Sequence, residues 1–107
     1  MPLILLAHRD VPVNNLRQLI AAVQRTPDKF SYGSFGNGTT GHFAAELTWS
    51  AAGIKLMHVP YRGSAAAMAG LMGGQIPFTI DTVAAALPQL KAGKIKAIAV
   101  MGATRAT

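Results

Sequence analysis

The chain has 107 residues, enough for one small domain with a single core, and half of them are hydrophobic, so a folded domain is expected. The absence of cysteine excludes disulfide and thiolate chemistry. The net charge of +6 comes from scattered basic residues that do not alternate with the few aromatic ones, which favours a small anionic ligand or solubility over nucleic-acid binding.

The chain opens with the pattern of a strand followed by a helix. Residues 3–7 form a continuous apolar run, which is typical of a strand buried on both faces. Residues 16–25 carry one apolar stripe at helical spacing, and either Asn14 or Asn15 suits the N-cap position. The helix is expected to stop before Pro27, because the residue that precedes a proline avoids the helical conformation.

Four further strands and three further helices are predicted, separated by short turns. Gly53 is typical of the position after a helix, Ser64 suits an N-cap, and Asp81 with Thr82 is expected to cap the last helix. Pro77 indicates that its strand either lies at a sheet edge or begins there. The predicted strands cover residues 30–33, 54–59, 76–80 and 94–100, and the predicted helices cover residues 41–52, 64–72 and 83–91.

This alternation predicts an α/β fold with a mostly parallel five-stranded sheet and helices on both faces. In such sheets, ligands bind outside the carboxyl ends of the strands. Residues 34–40, residues 60–64 and the pair Asp81 and Thr82 are expected to converge there. We therefore expect the ligand-binding site at this edge of the sheet.

The segment between the second strand and the second helix is the main candidate for contact with a ligand. A strand, a glycine loop and a helix N-terminus in succession can present several free backbone N–H groups to one anion. A tight turn that binds nothing is the simpler alternative. The glycines of the segment are Gly33, Gly36, Gly38 and Gly41, and its hydroxyl-bearing residues include Ser34, Thr39 and Thr40.

A second interpretation of the same loop is a nucleotide site, because residues 36–41 match the pattern G-x-G-x-x-G. A dinucleotide site would then need an acidic residue near the end of the next strand, and none is present there. Arg62 could suit the 2′-phosphate of NADP, so an α/β enzyme domain that binds such a nucleotide is the alternative function. A phosphate loop of the nucleotide-hydrolase type is excluded, because no lysine follows Gly38.

Several other side chains have both a functional and a structural interpretation. His42 and Glu46 have the i, i+4 spacing of metal-binding helices, but a surface pair or a helix-capping interaction explains them more simply. Asp81 either caps a helix or accepts a hydrogen bond from a ligand or an ordered water. Tyr61 either forms a wall of the site or packs as a half-buried side chain.

The sequence predicts a protein that is not an enzyme. It has no G-x-S-x-G motif and no pair of carboxylates in a shared loop. Ser34, His42 or His58, and Asp81 could be combined into a serine–histidine–aspartate set, but their spacing does not support one.

Four motifs, in order along the chain, are similar to one known family. The sequence resembles the solute-binding receptors of tripartite tricarboxylate transporters, the Bug family of periplasmic binding proteins. The motifs cover residues 32–42, 58–64, 71–75 and 90–100 and are YGSFGNGTTGH, HVPYRGS, LMGGQ and LKAGKIKAIAV.

The resemblance implies one lobe of a type II periplasmic-binding-protein fold, the Venus-flytrap clamp, which closes on a small carboxylate and delivers it to a membrane permease. Residues 1–107 would form the second lobe only, and the first lobe and its signal peptide would be missing. A periplasmic location is implied although this chain shows no export signal, and no cofactor, metal or nucleic acid is expected. The isolated lobe is expected to self-associate through an apolar face at residues 3–7.

The resemblance also assigns roles to individual positions. The loop of residues 34–40 would bind the ligand carboxylate through backbone N–H groups and hydroxyls, partly by way of water. Asp81 would lie on the opposite wall of the cleft and Tyr61 near its rim. The predicted ligand-binding residues are Ser34, Gly36, Asn37, Gly38, Thr39, Thr40, His42, Tyr61, Asp81 and Thr82.

Overall fold

The computed structural model describes residues 3–26, 29–34, 36 and 40–101, with residues 40 and 101 described by their backbone alone. The strands are β1 (Leu3–His8), β2 (Ser31–Ser34), β3 (Met57–Pro60), β4 (Phe78–Thr82) and β5 (Ile95–Met101). The helices are α1 (Leu16–Arg25), α2 (Thr40–Ala52), α3 (Ser64–Met72) and α4 (Val83–Lys91).

The strands form one five-stranded sheet in the order β3-β2-β4-β1-β5. Strand β2 runs parallel to β3 and β4, whereas β1 runs antiparallel to both β4 and β5. Four strands therefore share one direction and β1 opposes them, so the predicted α/β class is confirmed as a mixed sheet. A continuous apolar strand is equally suited to either direction, which is why the sequence of β1 does not reveal its orientation.

Helices cover both faces of the sheet, as predicted. Strand β1 shows the division, because Leu3, Leu5 and Ala7 pack in one apolar cluster and Ile4 and Leu6 in the other. The first cluster includes buried residues of α1 and α2, and the second includes Met68 and Leu71 of α3 and Ala86 of α4. The alternation of side chains along a strand thus builds two cores from one central element.

The central position of β1 removes one expectation. Residues 3–7 are buried, with exposed fractions of 7% or less, because neighbouring strands flank β1 on both sides. The prediction that they form an exposed apolar face is therefore wrong, and self-association of the isolated lobe stays a prediction. The large apolar side chains that are exposed among the described residues lie elsewhere, at Phe43, Leu47, Met57, Leu87 and Val100.

The helix boundaries follow the predicted signals, but two of the predicted caps, Ser64 and Asp81, are not observed. Asn15 caps α1 through its side-chain oxygen, and Thr82 caps α4 in the same way. The prediction that Ser64 caps α3 is wrong, because Gly63 holds that position and Ser64 is the first helical residue. The hydroxyl of Ser64 is instead donated to the carboxyl group of Asp81, which ties the start of α3 to the end of β4.

Pro77 immediately precedes β4, which is an inner strand of the sheet. The edge position offered for Pro77 is therefore wrong, and the alternative position at the start of the strand is close to the observed one. The Pro77 carbonyl accepts a hydrogen bond from the His8 backbone N–H at 3.0 Å, just before the β1–β4 ladder begins. A proline is tolerated there because it precedes the ladder, so that strand pairing does not require the N–H that proline lacks.

Within the described ranges, no helix has the length and apolar character needed to cross a bilayer.

Candidate ligand-binding site

The carboxyl ends of β2, β3 and β4 lie at the same edge of the sheet, where the sequence predicts the site. Ser34 lies opposite Pro60 in the β2–β3 pair, and Gly33 lies opposite Thr79 in the β2–β4 pair. The backbone N–H of Tyr61 donates to the Ser34 carbonyl at 3.1 Å, which joins the first loop to the second. Among the predicted ligand contacts, Asn37, Gly38 and Thr39 lie outside the described residues.

Ser34 is fully buried at the end of β2, and its hydroxyl is engaged inside the protein. The Ser34 Oγ donates to the Gly36 carbonyl at 3.0 Å, accepts from the Gly36 N–H at 3.3 Å and lies 2.6 Å from His58 Nε2. Gly36 has a φ of +148°, a conformation that favours glycine. The geometry thus gives Ser34 a role in shaping the start of the loop, and direct contact between Ser34 and a ligand stays a prediction.

His42 lies in the first turn of α2, where it stacks on His58 of β3. The two imidazole rings are 3.8 Å apart and within 5° of parallel. The ring of Tyr32 lies on β2 opposite His58, with its centroid 5.1 Å from the imidazole. His58 was not among the predicted site residues, and only the pairing of β2 with β3 brings it to Ser34.

Glu46 lies one turn after His42 on α2 and accepts a hydrogen bond from the buried Tyr32 hydroxyl at 2.5 Å. Burial raises the pKa of the Tyr32 phenol, and the hydrogen bond to Glu46 and its charge raise that pKa further. The helical pair His42 and Glu46 therefore contacts β2 and β3. Within residues 3–26, 29–34, 36 and 40–101, no three His, Cys, Asp or Glu side chains are grouped so that they could hold a metal ion.

Asp81 is fully buried at the end of β4 and does not cap α4. Its Oδ2 accepts the hydroxyl of Ser64 at 2.6 Å and its Oδ1 accepts the backbone N–H of Thr82 at 2.7 Å. Its side chain points toward the face covered by α3 and α4, whereas Ser34 points toward the face covered by α2. Ser34, His58 and Asp81 therefore do not form a catalytic triad.

Tyr61 is half-buried between α3 and β2. A Cβ atom added at Gly70 would lie 2.5 Å from the Tyr61 hydroxyl oxygen, and one added at Gly33 would lie 3.2 Å from its ring. The two glycines make room for the tyrosine ring, which explains a glycine in the interior of α3. The packing interpretation accounts for this geometry, and contact between Tyr61 and a ligand stays a prediction.

The stacked imidazoles predict that stability depends on pH. Burial lowers the pKa of His58, the charge on a protonated His42 lowers it further, and Glu46 partly opposes the shift. Because the folded-state pKa lies below the unfolded value of about 6.5, the unfolded chain binds more protons between the two values. The free energy of unfolding should therefore fall as the pH drops below about 6.5 and level off below the lowered pKa.

Urea unfolding between pH 5 and pH 8 measures this effect. His58→Gln should show a shallower loss of stability at acidic pH than the wild-type chain. His8→Gln removes a histidine from the end of β1, beside the start of β4 and far from the carboxyl end of β3, and serves as the matched control. An identical pH slope in His58→Gln and the wild type would contradict the assignment.

The sequence pattern described as the tripartite tricarboxylate transporter family receptor matches residues 1–107. The chain belongs to this receptor family. It is 39% identical over 106 residues to a UPF0065 protein of Bordetella pertussis, an alignment that covers 99% of this chain and 33% of the relative. The chain thus spans about a third of the length of this receptor-family relative.

Solved structures agree with the fold. A Rhodopseudomonas palustris protein described with adipate has a TM-score of 0.89 at 35% identity, covering 92% of this chain and 33% of its own. The periplasmic binding protein BugD has a TM-score of 0.87 at 34% identity, covering 97% and 35%. MatC from Rhodopseudomonas palustris, described with bound malate, has a TM-score of 0.87 at 27% identity, covering 94% and 34%.

These similarities confirm the predicted receptor family and the Venus-flytrap class of the fold. The similar proteins are receptors and binding proteins and not enzymes, in agreement with the prediction from the sequence. None of these similarities supports the alternative of an NADP-binding enzyme domain.

Proposed function

We propose that this chain is one lobe of a periplasmic receptor that captures a small carboxylate and delivers it to the permease of a tripartite tricarboxylate transporter. The observation that carries the proposal is the convergence of the β2, β3 and β4 carboxyl ends at one edge. That arrangement occurs in a chain 35% identical to a protein described with adipate and 27% identical to one described with malate. The proposed partners are the carboxylate, the other lobe of the receptor and the permease.

Backbone groups at two helix starts support carboxylate binding at this edge. Helix α2 is 13 residues long and begins directly after the glycine loop, so its positive end faces the loop. Helix α3 begins at Ser64 after Gly63, which provides no side-chain cap to occupy the first N–H groups of the helix. The net charge of +6 favours the approach of an anion.

We assign the direct contacts chiefly to residues 36–40, with His42 and Thr82 beside them. Ser34 shapes the loop through its internal hydrogen bonds, and Asp81 fixes the start of α3 through Ser64. A ligand held between two lobes divides its contacts between them, so one lobe alone provides about half. If a whole receptor binds with about −8 kcal/mol, a single lobe would retain about −4 kcal/mol, which corresponds to a Kd near 1 mM.

Titration with malate, adipate and NADP, followed by backbone amide NMR, tests the proposal. We expect malate or adipate to shift the amide resonances of residues 36–42 with a Kd near 1 mM, and NADP to have no such effect. Gly38→Val should abolish the response, because a branched side chain restricts the loop backbone, while circular dichroism stays unchanged. Gly73→Ala, at the far end of α3, is the control and should bind as the wild type does.

An unchanged carboxylate response in Gly38→Val would remove the loop from the site. A response to NADP with none to the carboxylates would favour the nucleotide-binding alternative.

A further inference from the structure

We propose that His58 is a positioning residue that, by donating its Nε2–H to Ser34, holds Gly36 against the end of β2, where the ligand loop begins. The role concerns the loop to which the proposed function assigns carboxylate binding, and in that respect it rests on that function. His58 lies on β3, outside the loop, and acts on the ligand only through the residues that it holds.

The number of protons at Ser34 determines the direction of the hydrogen bonds. Ser34 Oγ lies within hydrogen-bond distance of an acceptor, the Gly36 carbonyl, and of the His58 ring nitrogen Nε2. A serine hydroxyl has one proton and can accept two hydrogen bonds. If that proton goes to the Gly36 carbonyl, the contact of 2.6 Å requires the proton between Oγ and Nε2 to come from His58.

With His58 as donor, every hydrogen-bonding position of the Ser34 hydroxyl is used. It accepts from His58 Nε2–H and from the Gly36 N–H, and it donates to the Gly36 carbonyl. The N–H and the carbonyl of Gly36 are thus both hydrogen-bonded to one buried oxygen, Ser34 Oγ. Loss of the His58 proton donor would free the hydroxyl to rotate and would weaken the turn that begins the loop.

The same imidazole also contacts the far end of the loop. His42, in the first turn of α2, stacks on His58 with the ring centroids 3.8 Å apart. The His58 ring therefore contacts Ser34, which precedes the loop, and His42, which follows it. This arrangement limits the relative movement of the end of β2 and the start of α2, between which the proposed ligand amides lie.

The groups around the ring favour its neutral form. His42 and Glu46 face His58 from α2, and Tyr32 faces it from β2. Burial and the adjacent His42 lower the pKa of His58 more than Glu46 raises it. A neutral imidazole has one N–H, and the contact with Ser34 places that proton on Nε2.

Nitrogen-15 NMR of the His58 ring and hydrogen exchange at the Gly36 amide test the role without a ligand. We expect the Nε2–H tautomer at pH 7.5 and faster exchange at Gly36 in His58→Phe, by about tenfold. His58→Gln should restore slow exchange, because its amide nitrogen can reach the position of Nε2 and donate the same bond. Ser34→Ala should match His58→Phe, and His8→Phe, at the other edge of the sheet, should match the wild type.

Malate titration of the same variants separates this inference from the proposed function. We expect His58→Phe to weaken malate binding by about tenfold and His58→Gln to remain within about threefold of the wild type. If no variant and no wild-type chain binds carboxylates, the proposed function fails, while the exchange and tautomer results still decide the positioning role. An Nδ1–H tautomer, or wild-type exchange at Gly36 in His58→Phe, would overturn the inference even if malate binds.

Discussion

Replacing Trp49 with alanine is expected to lower the free energy of unfolding by about 3–5 kcal/mol. The side chain is only 2% exposed and belongs to the core cluster between α2 and the sheet. Its ring meets Tyr32 edge-on, with centroids 5.5 Å apart, so truncation removes an aromatic contact and leaves a cavity. Domains of this size are typically stable by about 5–15 kcal/mol, so the loss would be a large share of the total.

Phe43→Ala is the matched control for this prediction, because it removes an aromatic side chain from the same helix. Phe43 is 66% exposed, so its loss should change the free energy of unfolding by no more than about 0.5 kcal/mol. Trp49→Phe should cost less than Trp49→Ala, because phenylalanine keeps an aromatic ring in the core beside Tyr32. Urea unfolding measures all three variants, and equal effects of Trp49→Ala and Phe43→Ala would contradict the packing described for α2.

The second large effect is expected at Asp81. Asp81→Ala removes the acceptor of two hydrogen bonds in a fully buried position and leaves the Ser64 hydroxyl and the Thr82 N–H without their partner. An unsatisfied buried donor costs about 1–3 kcal/mol, and because these two donors are only partly buried we expect a total loss of about 2–4 kcal/mol in the free energy of unfolding. The start of α3 also loses its attachment to β4, so carboxylate binding should weaken.

Asp81→Asn distinguishes the hydrogen bonds from the charge. The asparagine oxygen can accept from the Thr82 N–H, and the asparagine NH₂ group can donate to Ser64 Oγ. Ser64 Oγ, a donor in the wild type, would then be the acceptor. We therefore expect Asp81→Asn to cost about 1 kcal/mol, well below the alanine variant. Chemical denaturation gives the stabilities, and an alanine variant as stable as the asparagine variant would show that the two hydrogen bonds contribute little.

The sequence predicts the boundaries of helices and strands well where interactions between residues close in the chain determine them. Helices α1 and α4 begin and end at the predicted residues, because an Asn15 or Thr82 side chain caps each start. Strand β3 begins at Met57, three residues later than its apolar pattern, because Ile54 and Leu56 are buried in the core before strand pairing starts. Apolar alternation indicates burial, and it does not show where the hydrogen-bonded ladder begins.

The candidate site shows the same division. The glycine loop and Asp81 are visible in the sequence, because glycine and acidic residues after apolar strands have recognisable local roles. The association of Ser34 with His58 depends on the register of two parallel strands, in which Ser31 pairs with Met57, 26 positions later in the chain. A single sequence has no local signal for that register, so the histidine that contacts the loop was not predicted.

The reversed direction of β1 has a mechanical consequence. Leu3 pairs with Thr82 of β4 and with Met101 of β5. The first residue of β1 and the last residue of β5 therefore lie side by side, at the edge of the sheet where β2 and β4 end. In a longer receptor, the two chain segments that continue from these residues would leave the sheet side by side. A bend in those two segments would leave the two cores of this unit undisturbed.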